Sequence, residues 1–305
     1  MNIHDNTRRI IGITSPIFLV SILLLLLGFV GLQNSSGQDS FGQASTLPDL
    51  SGLAWMEGDL FIAVHDARNP EENDRPRVSV LQLPNGLDGV LWQAQDVKFP
   101  IGKKSNDFES IARIPGTPNV LLVESSEEQE EKPLSRRLFL SSFNGDAVQI
   151  DEVLMWPVET TNVEGTAIAA VGEHMLFIYA ERAEGEGQTD IHFADFTLDP
   201  LGIGDFTSAG LFVSPGPTGE DARAVSAIDV DSDGIVYVAS AEDPGDDNGP
   251  FRSAIYAIGQ AQESDSGAAV VLYETPQQIA VLAGVKVDSL AVREVEGQER
   301  QLFVG

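Results

Sequence analysis

The sequence predicts an all-β fold, a β-propeller of four-stranded blades, on three observations. One hairpin pattern recurs five times, two further strand-like runs follow each of the first four copies, and long helical periodicities are hard to find in the chain. Repeats of a four-stranded unit, each roughly 40–60 residues long, are typical of a propeller rather than of a sandwich or a solenoid.

An uncharged apolar segment at residues 10–32 precedes the repeats. It is long enough to cross a bilayer as a helix, and two arginines come just before it. Under the positive-inside rule, residues 1–9 are cytoplasmic and the rest is periplasmic or at the cell surface, anchored to the membrane. A cleaved signal peptide is the alternative, and the rest is then secreted. Residues 33–46 predict a flexible linker to a propeller domain at 47–305.

Each repeat opens with a hairpin of two strands. A polar residue comes first in most copies, a serine or an acid stands third and a small residue fourth, and an apolar strand, a turn and a β-branched or aromatic strand follow. The five hairpins occupy residues 49–66, 107–124, 162–181, 224–242 and 286–305.

The last repeat is incomplete, because the sequence ends with its second strand. Two readings stay open: either the chain is truncated, or the final blade is short. The five copies fit a five-bladed ring, and a six-bladed ring would lack more of its strands.

The composition restricts the function. Asp and Glu number 47 against 18 Lys and Arg, giving a formal net charge of -29, so the protein should repel nucleic acid and attract cations or basic partners. The alternative is that the charge only serves solubility. There is no cysteine, which excludes disulfides and thiolate metal sites.

Acidic residues cluster at both ends of the hairpins. In an antiparallel hairpin the start of the first strand lies beside the end of the second, so these acids should meet at one mouth of the central channel. Oxygen-rich clusters suit calcium or magnesium. The alternative is that each acid only caps a loop. The predicted metal ligands are Asp49, Asp66, Asp107, Glu124, Glu181, Glu242 and Asp288.

Catalytic and substrate-binding candidates lie near the same mouth. Glu109 and Glu164 stand third in their hairpins, and His65 is a candidate general base, with a structural role as its alternative. Basic residues there either bind an anionic substrate group or serve as ion-pair partners. The substrate-binding candidates are Lys104, Arg182 and Arg223.

The segment DVDSDG at residues 229–234 begins like a calcium-binding EF-hand loop. Its context is a hairpin and not a pair of helices, and its twelfth position would be Ser240. We therefore predict a tight turn on the face opposite the acids.

The hairpins DLSGLAW, DFESIARI and NVEGTAI resemble those of the phytase-like esterase family, and they are also similar to the SdiA-regulated type of exported six-bladed propeller. The resemblance covers residues 47–305 and implies export and calcium-assisted hydrolysis of an ester or phosphoester. It implies that the mouth acids are Glu109, Glu124, Glu164 and Glu181, with Arg182 close by. The sequence departs from the pattern at Ser51 and Ser226, which replace an acid, and at Lys286, which replaces the leading Asp or Asn.

Two functions follow from these observations. The first is a calcium- or magnesium-dependent hydrolase that acts on a small anionic ester. The second is a non-catalytic propeller that binds a protein partner or serves as a scaffold outside the cytoplasm. A propeller can host either, so the fold does not choose between them.

Overall fold

The computed structural model describes residues 21–24, 50–66, 76–83, 90–100, 105, 107–124, 136–159, 162–182, 187–245, 249–265 and 267–305. Of residues 21–24 only the backbone is described. All helical or strand structure in these ranges is β-strand, which agrees with the predicted all-β class.

The strands form four full sheets and one smaller sheet, and hydrogen-bonded neighbours are antiparallel in every pair but one. The first contains β2 (Gly52–Glu57), β3 (Leu60–Val64), β4 (Val78–Gln82) and β5 (Leu91–Gln95). The second contains β6 (Phe108–Arg113), β7 (Asn119–Glu124), β8 (Arg137–Phe143) and β9 (Val148–Met155). The third contains β10 (Val163–Val171), β11 (His174–Glu181), β12 (Gln188–Leu198), β13 (Leu201–Ile203) and β14 (Thr207–Val213). The fourth contains β15 (Ala222–Val230), β16 (Ile235–Glu242), β17 (Arg252–Ser264) and β18 (Gly267–Ala283). The fifth contains β1 (Ser21–Leu24), β20 (Gln301–Val304) and β19 (Leu290–Arg293).

These sheets are the blades of a propeller, numbered 1 to 5 in the order just given. The innermost strands β2, β6, β10, β15 and β19 contact one another in sequence, and β19 also contacts β2. The ring therefore closes with four full blades and the smaller fifth one.

The hydrophobic core lies between the blades. Each adjacent pair of blades encloses its own apolar cluster, because each blade packs one face against each of its two neighbours. The joint that closes the ring packs Phe61 of blade 1 against Phe303 of blade 5, with ring centroids 4.9 Å apart. Burial of aromatic and aliphatic side chains at every joint stabilises the closed ring.

A steric restriction explains why the fourth residue of each hairpin is small. A Cβ atom on Gly165 of blade 3 would lie 2.8 Å from the backbone nitrogen of Ile228 in blade 4. A Cβ atom on Gly52 of blade 1 would lie 3.0 Å from the backbone nitrogen of Ile111 in blade 2. Innermost strands approach closely here, and only glycine fits without displacement.

The N-terminal apolar segment differs from the predicted helix in the four residues that are described. Ser21–Leu24 forms the strand β1, which pairs in parallel with β20 from Ser21–Gln301 to Leu24–Val304. Without β1, β20 would have an unpaired edge, and apolar residues suit a strand beside it. The rest of residues 10–32 lies outside the described ranges. Within those ranges no helix is long and apolar enough to span a membrane.

The DVDSDG segment forms the tight turn that its hairpin context predicts. Asp231 Oδ1 accepts hydrogen bonds from the backbone N–H groups of Asp233 and Ile235, and Oδ2 accepts one from the Tyr237 hydroxyl. Arg300 pairs with the same carboxylate at 2.7 Å. The aspartate therefore closes the turn through its own backbone.

Candidate metal centre and ion-pair network

The candidate site lies at the end of the ring where the innermost strands begin, which we call the entry end. There Glu109 and Glu164 each occupy a shift in the pairing register, between Phe108 and Ser110 in β6 and between Val163 and Gly165 in β10. A bulge of this kind re-aims a side chain. Both glutamates are buried, with 8% and 3% of their surface exposed.

Serine at the equivalent position joins neighbouring blades instead. The Ser51 hydroxyl donates to the carbonyl of Phe108 at 2.5 Å, and that of Ser226 donates to the carbonyl of Val287 at 2.6 Å. The two serines that replace an acid in the repeat therefore stabilise the joints between blades 1 and 2 and between blades 4 and 5. They add no charge to the entry end.

Three carboxylates converge between blades 1 and 2. Asp66, Asp107 and Glu109, which we call the acidic cluster, each offer an oxygen, and these oxygens lie within 4.8 Å of one another. Asp66 follows β3, and it pairs across the blades with Asp107 through an isolated antiparallel bridge. The cluster provides only hard oxygen donors, and this donor set fits calcium or magnesium.

A buried arginine positions the segment that leads into this cluster. Arg77 Nε donates to the carbonyl of Ser105 at 2.9 Å, and the backbone N–H of His65 donates to the carbonyl of Arg77 at 3.0 Å. Only 2% of Arg77 is exposed. Its positive charge therefore lies in the same region as the acids, where burial strengthens electrostatic interactions.

His65 lies beneath the surface of this region. It has no exposed surface, and its Nε2 forms a 2.7 Å hydrogen bond with the Ser79 hydroxyl. A buried imidazole that is bonded to a neighbouring strand has the geometry of a structural histidine. The described contact of His65 is a structural one, and its role as a general base stays a prediction.

Blades 3, 4 and 5 carry a different arrangement, which we call the ion-pair network. Arg182 Nε pairs with Glu164 at 2.6 Å. Arg223 pairs with Asp243 at 2.5 Å and lies 3.9 Å from Asp288. Lys286 bridges the same two aspartates at 2.9 and 2.8 Å. The network has equal numbers of acids and bases: Glu164, Asp243 and Asp288 against Arg182, Arg223 and Lys286.

The pKa values in the network follow from burial and from these partners. Burial raises the pKa of Glu164, and the charges of Arg182 and Arg223 offset part of the rise. Burial alone would also raise the pKa of Asp243, but bonds from Lys286 and from the Gly245 N–H lower it overall. Burial would lower the pKa of Lys286, but its aspartate partners raise it overall. The ion pairs thus favour the charged forms of Asp243 and Lys286.

Three other predicted metal ligands that the structure describes, Glu124, Glu181 and Glu242, are not members of the acidic cluster. Glu124 forms a buried two-bond pair with Arg137, at 2.8 and 2.5 Å, and Glu242 pairs with Arg252 at 2.6 Å. In both cases the partner is on the next strand outward, so the pair links strands within one blade. Glu181 is half-buried at the end of β11. The predicted ligand Asp49 and the predicted substrate-binding Lys104 lie outside the described residues.

Two residues of the site were not among the candidates that the sequence patterns indicated. Asp243 and Lys286 complete the ion-pair network, although neither was assigned a role. Lys286 stands where most copies begin with Asp or Asn, and that change of sign at a repeated position was the available signal.

No protein-family model and no curated protein matches this chain. Solved structures show weak similarity. A GH32 β-fructofuranosidase of Bombyx mori has 10% identity and a TM-score of 0.44, over 82% of this chain and 53% of its own. A GH43 endo-arabinanase of Bacillus licheniformis has 10% identity and a TM-score of 0.44, over 87% of this chain and 96% of its own. A periplasmic gluconolactonase of Pseudomonas aeruginosa has 13% identity and a TM-score of 0.38, over 77% of this chain and 72% of its own.

The chain thus spans about half the length of the Bombyx mori enzyme. At these identities and TM-scores the similarities assign neither a family nor an activity to this chain. They do not show the phytase-like family or the SdiA-regulated type, so that resemblance stays a prediction. The assignment of a propeller rests on the closed ring of innermost strands and the five cores between blades.

Proposed function

We propose that this propeller binds a divalent cation, calcium or magnesium, in the acidic cluster, and that it hydrolyses a small anionic ester or phosphoester there. The observation that carries the proposal is the approach of three carboxylate oxygens within 4.8 Å of one another across two blades. Such a set of oxygen donors is what a hard cation requires.

The roles of the residues follow from their positions. Asp66 and Asp107, which are half-buried, would hold the cation between blades 1 and 2. Glu109 is more deeply buried and serves as the general base that takes a proton from the attacking water. A bound divalent cation supplies the lowered pKa of that water and offsets the charge of the substrate.

The ion-pair network supplies the anion-binding side of the site in this proposal. Arg182 and Arg223 are its guanidinium groups, and guanidinium recognises carboxylate and phosphate oxygens in a planar, two-bond geometry. A substrate oxygen would have to compete with Glu164 and Asp243 for these groups. The predicted cation site is therefore the stronger half of the proposal.

This competition favours a second candidate function, a non-catalytic binding propeller. Arg182, Arg223 and Lys286 are each paired to an acid, so these cations already have protein partners. In that case the cation in the acidic cluster is structural, and the acidic face binds a basic protein partner. In both candidates the propeller acts outside the cytoplasm, although the pairing of β1 with β20 places residues 21–24 in blade 5 and not in a membrane-spanning helix.

The test of catalysis is a hydrolysis screen with the purified full chain. The protein is stripped with EDTA and assayed on p-nitrophenyl phosphate, bis-p-nitrophenyl phosphate and p-nitrophenyl acetate, with and without added calcium or magnesium. We expect metal-dependent turnover that Glu109→Gln removes. Glu152→Gln, an exposed acid on the outer strand β9, is the control and should retain turnover.

The outcomes separate the two candidates. Turnover that persists in EDTA, or that survives Glu109→Gln, would contradict the proposed mechanism. An absence of turnover together with saturable metal binding would identify the binding propeller instead.

A further inference from the structure

A second feature with unusual chemistry lies at the opposite end of the ring, where the innermost strands end, which we call the far end. Arg113 is the last residue of β6 in blade 2, and its guanidinium carbon lies 4.7 Å from the centroid of the Trp55 ring in blade 1. The indole is itself held in place, because its Nε1 donates to the carbonyl of Gly58 at 3.1 Å. The guanidinium therefore lies on a fixed aromatic surface.

The Nε of Arg113 is buried and has no hydrogen-bond partner among the described residues. Two other arginines near this end have acidic partners. Arg293 bonds to Asp59 and to the carbonyl of Gly58, and Arg300 pairs with Asp231 and other acids. In a chain with a net charge of -29, an arginine without a paired acid is unexpected. Buried donors nearly always have a partner in folded proteins, so this one points to a ligand.

A buried carboxyl group of blade 4 interacts with Arg113 electrostatically. Asp229 accepts hydrogen bonds from the N–H groups of Val230 and Val292, at 2.8 and 2.6 Å. Burial raises the pKa of Asp229 to about 7; the two N–H groups and the charge of Arg113 oppose the rise, and Asp231 adds to it. Burial lowers the pKa of Arg113, against the charges of Asp229, Glu294 and Glu57.

We propose that the far end binds a small oxyanion, a carboxylate or a phosphate, on the guanidinium of Arg113 between Trp55 and Asp229. The guanidinium offers parallel N–H donors that fit two oxygens of one anion, and the indole keeps its plane fixed. The proposal goes beyond the proposed function, because none of these residues belongs to the acidic cluster or the ion-pair network.

Binding at this place is linked to pH. The exposed Glu57, together with Glu294 and Asp231, already contributes negative charge near Arg113 and Asp229. When Asp229 ionises, it adds a further negative charge beside the bound anion. The anion should therefore bind more tightly below pH 7 than above it. A bound anion in turn favours the protonated form of Asp229, because the two effects are reciprocal.

The test uses the EDTA-stripped full chain, so that no metal contributes. Thermal unfolding is followed against inorganic phosphate and against acetate, with sodium chloride at matched ionic strength as the reference. We expect saturable stabilisation by at least one of the two anions, and the one that binds identifies the ligand as phosphate or carboxylate. If acetate is the one that binds, acetate at pH 6 and pH 8 tests the proton linkage, because its own charge stays the same over that range.

Three variants identify the site. Arg113→Gln should weaken anion binding about 10-fold or more. Arg113→Lys keeps the charge but loses the planar donors, so this variant should bind the anion weakly. Its thermal unfolding without anion also shows whether the fold tolerates a substitution at this position. Arg252→Gln removes an arginine that is paired with Glu242 elsewhere, and it should bind like the unmodified chain. A response no different from that of chloride, or equal binding in Arg113→Gln, would overturn the proposal.

Discussion

The two halves of the entry end use the same repeated position in opposite ways. Glu109 in blade 2 and Glu164 in blade 3 both stand third in their hairpins, and both lie at a bulge. Glu109 lies with two further carboxylates, whereas Glu164 lies against the guanidinium of Arg182. Equivalent acids thus acquire different chemistry from the residues around them.

The residues around each acid, and not the number of acids in the repeat, therefore define the site. In the ion-pair network of blades 3 to 5, Glu164, Asp243 and Asp288 each lie beside a base, so the charges of the network balance and its acids serve the fold. In blades 1 and 2 the acids meet one another across the joint. We infer that the first arrangement stabilises the ring and the second binds a cation, and the predictions below test that division.

The largest effect should come from opening the ion-pair network. Arg182→Met leaves the buried Glu164 with only its weaker interaction with Arg223, and an uncompensated buried charge costs about 3 kcal/mol. Urea unfolding at pH 7 measures the loss. Arg252→Met is the matched control, since its pair with Glu242 is solvent-exposed and should change stability little. Similar losses in both variants would show that the network adds no special stability.

The next effect concerns pH and extends the comparison to the far end. The folded chain keeps the proton of Asp229 up to about pH 7, whereas the unfolded chain loses it near pH 3.8. Because the folded state binds more protons in between, this group's contribution to stability falls as pH rises from 4 to 7. The change is about 3 kcal/mol. Asp229→Asn should remove it, as measured by urea unfolding at pH 4, 5, 6 and 7. Parallel pH profiles for the two chains would contradict the burial of this carboxyl group.

A smaller effect compares the joints between blades. Gly165→Ala places a Cβ atom against the backbone of Ile228 and should cost about 1–3 kcal/mol of stability. Gly52→Ala should cost less, because the nearest backbone atom, the nitrogen of Ile111, would lie 3.0 Å from the new Cβ, against 2.8 Å for the nitrogen of Ile228 at Gly165. Gly204→Ala, whose nearest neighbour would be 3.6 Å away, is the control. Thermal unfolding measures the stability of all three variants. A larger loss for Gly52→Ala than for Gly165→Ala would show that the backbone around Gly165 can move to accept the added Cβ atom.

The hairpins were predictable from the sequence because their pattern is local. The predicted hairpin at 107–124 matches β6 and β7, which together run from Phe108 to Glu124. The predicted turn of this hairpin contains Gly116, whose φ is 74°. Local turn chemistry and strand alternation are read within one hairpin, and they repeat along the chain.

The division of the entry end was not predictable, because it depends on contacts between blades. The bridge from Asp66 to Asp107 joins two blades, and the pairing of Lys286 with Asp243 joins two others. No pattern within one repeat encodes such contacts.

The sequence does contain one indication of the far end. Asp229 stands where other copies have alanine, such as Ala54 and Ala291. A charge at a position that is otherwise small and apolar indicates either a partner or a site.

The smallest predicted effect tests the central claim most directly. Calcium is titrated by calorimetry into the EDTA-stripped full chain and into two variants that each remove one acid of the entry end. Asp107→Asn removes it from the acidic cluster, and Asp288→Asn removes it from the ion-pair network. We predict saturable binding that Asp107→Asn weakens about 10-fold, or 1.4 kcal/mol, and that Asp288→Asn leaves unchanged. Equal weakening by both variants, or no calcium binding by the unmodified chain, would contradict the claim that only the acidic cluster is a cation site.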